Sequence, residues 1–455
     1  MKGLVGLEIH TYLVSKEKLF CRCKASRERG LKPNVYICPI CTGQAGARPM
    51  APNEEAVKKA VMIGLMLGCK INERTRWMRK HYDWPDLPKG YQTTISGAHA
   101  VPLGVNGKFA SVNIRSIHLE EDPASWNPQD GCVDYNRSGL PLVEIITEPD
   151  FHFAEEVGEW LGKLVHALSY LKIVDSNAGI KVDVNVNLIS PKKTERVEIK
   201  NINSIDSVAK AINYEFERQG REGSVRETRR FDELKGKTMS MRSKEQAEDY
   251  RFIADPDLQP LVIENKLILE LEEKIPELPE QKLGKLIKKY KIDKKNAEVL
   301  AKNLDIVEFF ERVVRDGKVK ADVALNWVTG ELLRVLNWNK KMLHEVDIKV
   351  EHFVELLKLV EKKAITELQA KQILNKFIPK SFSPKKEEGR ISDEKELERI
   401  IKEIIKNNGR AVNDYKSGDS KALNFLMGEV MKATNRRADF KVARRVLERL
   451  LKVKF

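Results

Sequence analysis

Along roughly the first 275 residues, apolar positions recur mostly with the two-residue period of strands. The clearest run, Val182-Asp183-Val184-Asn185-Val186-Asn187-Leu188-Ile189, alternates apolar and polar side chains and predicts a half-buried antiparallel strand. Val112–Ile117 and Leu142–Ile146 are further β-rich runs. Helices are predicted from Asn53 to Leu67, with Asn53 and Glu55 at its start, from Ala154 to Leu171, and from Ser204 to Gln219. Pro276-Glu277-Leu278-Pro279 punctuates the chain, because proline removes a backbone donor and disfavours helix at the residue before it. Beyond it the pattern is helical almost to the end. The stretch from Phe377 to Ile391, with Pro379, Pro384 and Gly389 among charges, has the composition of a connecting loop. The fold class is therefore α+β, in three parts: a β-rich antiparallel body over 1–278, a helical domain over 279–345 and a small helical tail over 346–455.

Charged groups interrupt the strand pattern where burial would be costly. They gather in Gly6-Leu7-Glu8-Ile9-His10, in Pro85-Asp86-Leu87-Pro88-Lys89-Gly90-Tyr91-Gln92, in His118-Leu119-Glu120-Glu121-Asp122, from Leu142 to Asp150, and from Val197 to Ser204. A buried carboxylate must be paired or must hold a cation, so the blocks point to a metal-and-phosphate site. Glu8 and His10 are two apart on a strand and share a face. Taken alone, Glu120–Asp122 also suits a solvated acidic turn, and a single strand histidine often only hydrogen-bonds locally. No Walker loop or Gly-x-Gly-x-x-Gly fingerprint is present.

Cysteine spacing adds a second centre. Cys21-Arg22-Cys23 and Cys38-Pro39-Ile40-Cys41 are close pairs separated by a 14-residue loop, able to fold back around one tetrahedral zinc. Free cytosolic thiols or an oxidised pair are the alternatives. Cys69 and Cys132 lack close partners in sequence.

The net charge of +14 is unevenly spread. Residues 281–455 hold 41 Lys and Arg against 26 Asp and Glu, leaving 40 against 41 for the first 280. A basic helical tail on a neutral body suits a phosphate backbone, while a solvated lysine-rich surface is the plainer reading. With no long apolar run and no signal-type start, a cytoplasmic protein without a membrane segment is expected.

The polar blocks, in this order, closely resemble the GatB family, the B subunits of amidotransferases that convert misacylated Glu-tRNA(Gln) or Asp-tRNA(Asn) to the correct amide. The resemblance continues through Glu227-Thr228-Arg229-Arg230-Phe231-Asp232, Ser240-Met241-Arg242-Ser243-Lys244 and Asp249-Tyr250-Arg251-Phe252, and returns at Ala422-Leu423-Asn424-Phe425-Leu426-Met427-Gly428. It spans nearly the whole chain and implies a cradle-type catalytic domain and a YqeY-like, tRNA-binding tail. It implies ATP and Mg²⁺, with Glu8, His10, Glu120 and Glu144 as catalytic and metal-binding candidates and Glu121, Asp122 and Glu148 nearby. Lys89, Lys200, Arg229, Arg230 and Arg242 become candidate partners of phosphate or carboxylate, oriented by Tyr91, Asn136, Arg137, Asn201 and Asn203. Structural Zn²⁺ on Cys21, Cys23, Cys38 and Cys41 occurs in some members of that family and is lost in others. An amidase A subunit and a small C subunit are the implied partners. Lys181 departs from the family pattern, which carries arginine there. A tRNA-binding scaffold without chemistry is one alternative. Another is the E subunit of the related archaeal enzyme, whose inserted domain has little room between Asp255-Pro256-Asp257-Leu258 and Leu261-Val262-Ile263.

Overall fold

A computed structural model describes residues 2–28, 30–97, 99–175, 179–190, 193–243, 250–384 and 391–452. The chain divides into two compact units, Met1–Glu277 and Leu278–Phe455. Among the described residues no helix is long and apolar enough to cross a membrane.

The first unit is organised by one large sheet. From edge to edge its strands run Lys237–Ser243, Glu227–Asp232, Val197–Ile202, Ile180–Ser190, Lys2–Tyr12, Pro141–Thr147, Val112–Glu121, Gln92–Thr94, Met78–His81 and Arg251–Ala254. Neighbours along this path are antiparallel except Val197–Ile202 and Glu227–Asp232, which are parallel and joined through a helix.

One face of the sheet is apolar and covered. Val5, Leu7 and Ile9 are buried on it together with Val182, Val184 and Val186 of one neighbour and Val143 and Ile145 of the other. Three helices lie here: α1 (Glu54–Met66), α2 (Ala154–Leu171) and α3 (Ile205–Glu222). Asn53 caps α1 by accepting from the Ala56 N–H at 3.1 Å, and Ser204 caps α3 through the Ser207 N–H at 3.1 Å. Gly64 of α1 is packed so closely on Ile71 and Ile117 that an added Cβ would lie 2.5 Å from Ile117. Trp160 of α2 sits edge-on to Phe109 and Phe151, with ring centroids 5.9 and 5.5 Å away.

The other face is polar, and register decides its composition. Residues opposite each other in a ladder share a face. Glu8 is thus opposite Asp183, and His10 is opposite both Lys181 and Glu144. Glu144 faces His118, Glu120 faces Thr94, and Asn185 faces Glu198.

The second unit is helical. Its last part, from Ile391 onward, has a core cluster containing Leu397, Ile401, Leu426, Val430 and Leu447. Helix Phe440–Lys452 buries Ala443, Val446, Leu447, Leu450 and Leu451 on one stripe. Its arginines are occupied within the tail: Arg444 bonds Glu448 at 2.9 Å, Arg445 bonds Glu394, and Arg449 bonds Glu398 at 2.8 Å. These pairs are exposed and so easily exchanged for another anion.

The sheet edge depends on a buried ionic knot. Glu215 of α3 is fully buried and accepts from Arg218 at 3.0 and 2.8 Å, from Gln219 at 3.0 Å and from Thr238. Arg229 lies 3.2 Å from the same carboxylate. Burial opposes the charge of Glu215, yet these donors hold its carboxyl below the usual range. Replacing Glu215 with Ala should leave two buried guanidinium groups to share Glu227 alone in the core of the knot and cost about 3 kcal/mol, measurable by denaturant unfolding.

Candidate active site

The polar face opens into a cavity of about 1100 Å³ lined by His10, Lys80, Glu120, Lys181, Asp183 and Lys200 at its charged end, with Tyr82, Trp84, Leu142, Met241 and Tyr250 among the other walls. His10 anchors the charged end. Its Nε2 lies 3.5 Å from Glu144 and 3.6 Å from Glu120, while His118 Nδ1 meets the second Glu144 oxygen at 2.7 Å. Burial disfavours charge on His10, but the hydrogen bond and field of Glu144, with Glu120 and Asp183, push its pKa up to about 9. Glu144 is driven the other way: burial would raise its pKa, and the two histidines hold it well below the carboxylate range. Glu120 feels His118 and Lys80 only through their fields. Burial and the neighbouring Glu144 raise its pKa against the pull of His10, and its Oε2 is buried without a hydrogen-bond partner among the described residues.

A second acidic group adjoins the first. Ligand oxygens of Glu8, Asp183 and Glu198 all lie within 4.8 Å of one another. Asn185 donates to Glu8 at 3.0 Å, and Lys200 reaches Glu198 at 2.6 Å and Asp183 at 3.5 Å. Burial and the fields of Glu144, Glu198 and Asp183 raise the pKa of Glu8. Hard oxygen donors so placed suit a divalent cation such as Mg²⁺. Cationic groups stand close by. Burial opposes the charge on Lys80, which Glu120, Glu144 and Tyr250 restore; Lys200 is likewise raised by Asp183, Tyr250 and Glu198.

Two family models divide the chain between them. The model described as the GatB/GatE catalytic domain matches residues 3–269, and the one described as the GatB domain matches residues 308–451. The B subunit of the aspartyl/glutamyl-tRNA(Asn/Gln) amidotransferase of Methanocaldococcus jannaschii is 45% identical over 99% of this chain and 97% of its own length. The chain belongs to the GatB family. B subunits of the same name from Methanopyrus kandleri and Methanococcus maripaludis are 42% and 41% identical, over 98% and 95% of each chain.

Within this GatB fold the residues singled out from sequence fall into separate groups. His10, Glu120 and Glu144 come together, while Glu8 turns toward Asp183 and Glu198. Glu120, Glu121 and Asp122 are buried in or beside a strand, which excludes a solvated acidic turn. Lys200 and Arg137 line the cavity, as does Lys181. Others are committed elsewhere. Lys89 bonds Glu121 and Thr93, and Tyr91 lies under the Arg79 guanidinium, 4.4 Å from its ring centroid. Asn136 accepts from the Val35 and Tyr36 N–H groups at 2.8 and 2.9 Å, stapling a loop. Arg229 belongs to the Glu215 knot, Arg230 and Asn203 are exposed, and Glu148 holds Arg115 at 2.8 Å. The side chains of Asn201 and Arg242 lie outside the described residues. Lys80, His118, Asp183 and Glu198 enter the site without having been chosen as candidates. His118 and Glu198 lie inside the polar blocks, and strand alternation from Glu120 also selects His118.

The cysteines form the second centre of the domain. Sulfur atoms of Cys21, Cys23, Cys38 and Cys41 all lie within 4.8 Å of one another, a donor set compatible with structural Zn²⁺. Cys69 is buried and Cys132 exposed, both apart from this cluster. Hydrogen bonding from the Cys21 thiol outweighs burial and, with the Cys38 N–H at 3.2 Å, brings Cys41 down to about 5, toward the thiolate form that binds metal. Lys18 is fully buried with its Nζ 3.5 Å from Cys41 Sγ and 3.0 Å from the Tyr135 carbonyl oxygen. The loop then reaches the Pro85–Gln92 block: Gly43 has φ +69°, and a Cβ there would stand 2.1 Å from the Pro88 carbonyl oxygen. The purified chain is expected to release one equivalent of zinc to a colorimetric chelator on thiol modification. Cys38→Ser should abolish that release and lower the melting temperature by roughly 5 °C, as for a loss of a few kcal/mol in a domain of this size.

Proposed function

We propose that this chain uses ATP to phosphorylate the side-chain carboxylate of Glu-tRNA(Gln) or Asp-tRNA(Asn), and that ammonia then displaces phosphate to give the amide. The observation that carries this reading is the joint presence, in one cavity, of an acidic cluster and several lysines on the polar face of a GatB catalytic sheet. A free carboxylate resists attack by ammonia, and the acyl phosphate supplies a leaving group. Lys80, Lys181 and Lys200 offer the positive charge that a phosphate chain and the substrate carboxylate both require. His10, Glu120 and Glu144 would hold one Mg²⁺ and Glu8, Asp183 and Glu198 a second. Bound there, such ions neutralise charge that accumulates on phosphoryl oxygens. His118 holds one oxygen of Glu144, so the carboxylate presents its other oxygen toward His10.

Ammonia comes from a partner amidase A subunit, with a small C subunit completing a cytoplasmic complex. The basic tail holds the tRNA through its backbone, with little base reading.

Conversion of labelled Glu-tRNA(Gln) by the reconstituted complex with ATP, Mg²⁺ and free ammonium tests the chemistry, since ammonium bypasses the amidase. Wild type should form Gln-tRNA(Gln), and Glu144→Ala should lower the rate by about 100-fold or more. Binding of the tRNA without product from either Glu-tRNA or Asp-tRNA would instead favour a scaffold. The isolated chain should hydrolyse no glutamine. Removing residues 391–455, which carry their own core cluster, should weaken tRNA binding about tenfold or more in a filter-binding assay and leave nucleotide binding intact.

A further inference from the structure

The aromatic side of the cavity holds an acceptor that the chemistry above leaves unused. The Asp86 carbonyl oxygen accepts from the Ala124 N–H at 2.9 Å, which fixes the backbone, whereas its side-chain Oδ1 is buried and has no hydrogen-bond partner among the described residues. Asp86, Tyr82 and Trp84 all line the cavity. Trp84 is 53% exposed and edge-on to Trp126 at 5.4 Å, and Tyr82 is edge-on to Tyr250 at 5.7 Å. The nearest guanidinium does not satisfy the orphan oxygen. Arg137 is committed to Asp122 at 3.0 Å, to the Pro123 carbonyl at 3.1 Å and to the Ala124 carbonyl at 2.7 Å. Asp122 also accepts from Tyr12 at 2.8 Å, so Asp86 is the carboxylate of this region left with an open acceptor. Burial, opposed by the field of Arg137 and more weakly by that of Lys181, raises its pKa, so the two cations nearby act on it only through their fields and donate no hydrogen bond to Oδ1.

A carboxylate beside aromatic rings is an ammonium-binding arrangement. The proposed substrate carries that group: an aminoacyl ester of glutamate or aspartate has an α-ammonium at one end and the reacting carboxylate at the other. Carboxylates and cations stand at both ends of the cavity: Asp86 lies among Tyr82 and Trp84 with Arg137 held by Asp122, and Lys80 and Lys200 lie beside the His10 cluster, so the open acceptor on Asp86 is what distinguishes its end. Tyr82 links the two regions, since it lies in the fields of both Asp86 and Glu120. We infer that Asp86 binds the α-ammonium group of the aminoacyl ester and thereby directs the side-chain carboxylate toward the acidic cluster. This rests on the transamidation reading and adds a specificity: the site should require an unmodified α-amino group.

The test compares Glu-tRNA(Gln) with N-acetyl-Glu-tRNA(Gln) in the reconstituted complex, with free ammonium as donor. Wild type should use the acetylated substrate about tenfold to a hundredfold less well, the worth of one charge-assisted hydrogen bond. The isosteric variant Asp86→Asn should raise KM for Glu-tRNA(Gln) by a similar factor with little change in kcat, and should handle the two substrates alike. Asp86→Glu, which keeps the charge, should recover part of the preference. Unchanged discrimination in Asp86→Asn would overturn the inference, as would a rise confined to the KM for ATP, which would assign the oxygen to the adenine amine. Failure of wild type to amidate Glu-tRNA(Gln) at all would remove the transamidation reading itself, and the inference with it.

Discussion

Everything at this site depends on the register of one strand. Lys2–Tyr12 pairs with Pro141–Thr147 on one side and Ile180–Ser190 on the other, and both ladders place the partners of Glu8 and His10 on the same face. A shift of one residue would turn Glu8 and His10 into the helix layer and Leu7 and Ile9 into the cavity. The apolar side prevents this. Val5, Leu7 and Ile9 are each almost wholly buried, so the hydrophobic contacts that hold the sheet to α1, α2 and α3 also hold the charges in place. Stability and function are thus written on alternate residues of one segment.

The polar face could not be assembled from these groups one at a time. An isolated buried carboxylate would take up a proton, as the upward shifts of Glu8 and Glu120 indicate. Glu144 escapes because two imidazoles address it from opposite oxygens, and two carboxylates in turn face His10. The cluster is therefore cooperative: each charge is tolerated only in the presence of the others. The Glu215 knot at the far end of the sheet uses the same chemistry in a closed form, with its arginines facing the carboxylate instead of the cavity. That contrast separates a structural ion network from one open to ligands.

Legibility in the sequence follows from whether a signal is local. Asn53 and Ser204 announce helix starts because capping involves residues three apart, and Val182–Leu188 announces a strand because alternation is a property of the strand itself. The likeness of Glu8, His10, Glu120 and Glu144 to a family motif brought the acidic centre into view, and strand parity placed Glu8 and His10 on one face. What parity could not supply was distance across strands. Glu8 belongs with Asp183 and Glu198 because register sets them opposite or diagonal to one another, and register is not visible in a single segment. Arg229 and Lys89 look in sequence like phosphate partners, yet each had a carboxylate, Glu215 or Glu121, waiting in the fold. A basic residue read from a motif carries no information about which anion reaches it first.

The two orphan oxygens of the cavity show what a ligand must complete. Glu120 Oε2 and Asp86 Oδ1 are buried acceptors without donors among the described residues, and a fold selected only for stability would supply donors or remove the carboxylates. Their surroundings differ. Glu120 sits beside His10 and Lys80 in a field already rich in carboxylates, which suits a small hard cation, whereas Asp86 stands with Tyr82 and Trp84, whose ring faces suit an organic cation. On the proposed reading, metal ions and an aminoacyl ammonium would be sorted by the company each carboxylate keeps. Such sorting would orient a substrate bearing opposite charges at its two ends without any contact to the bond being made.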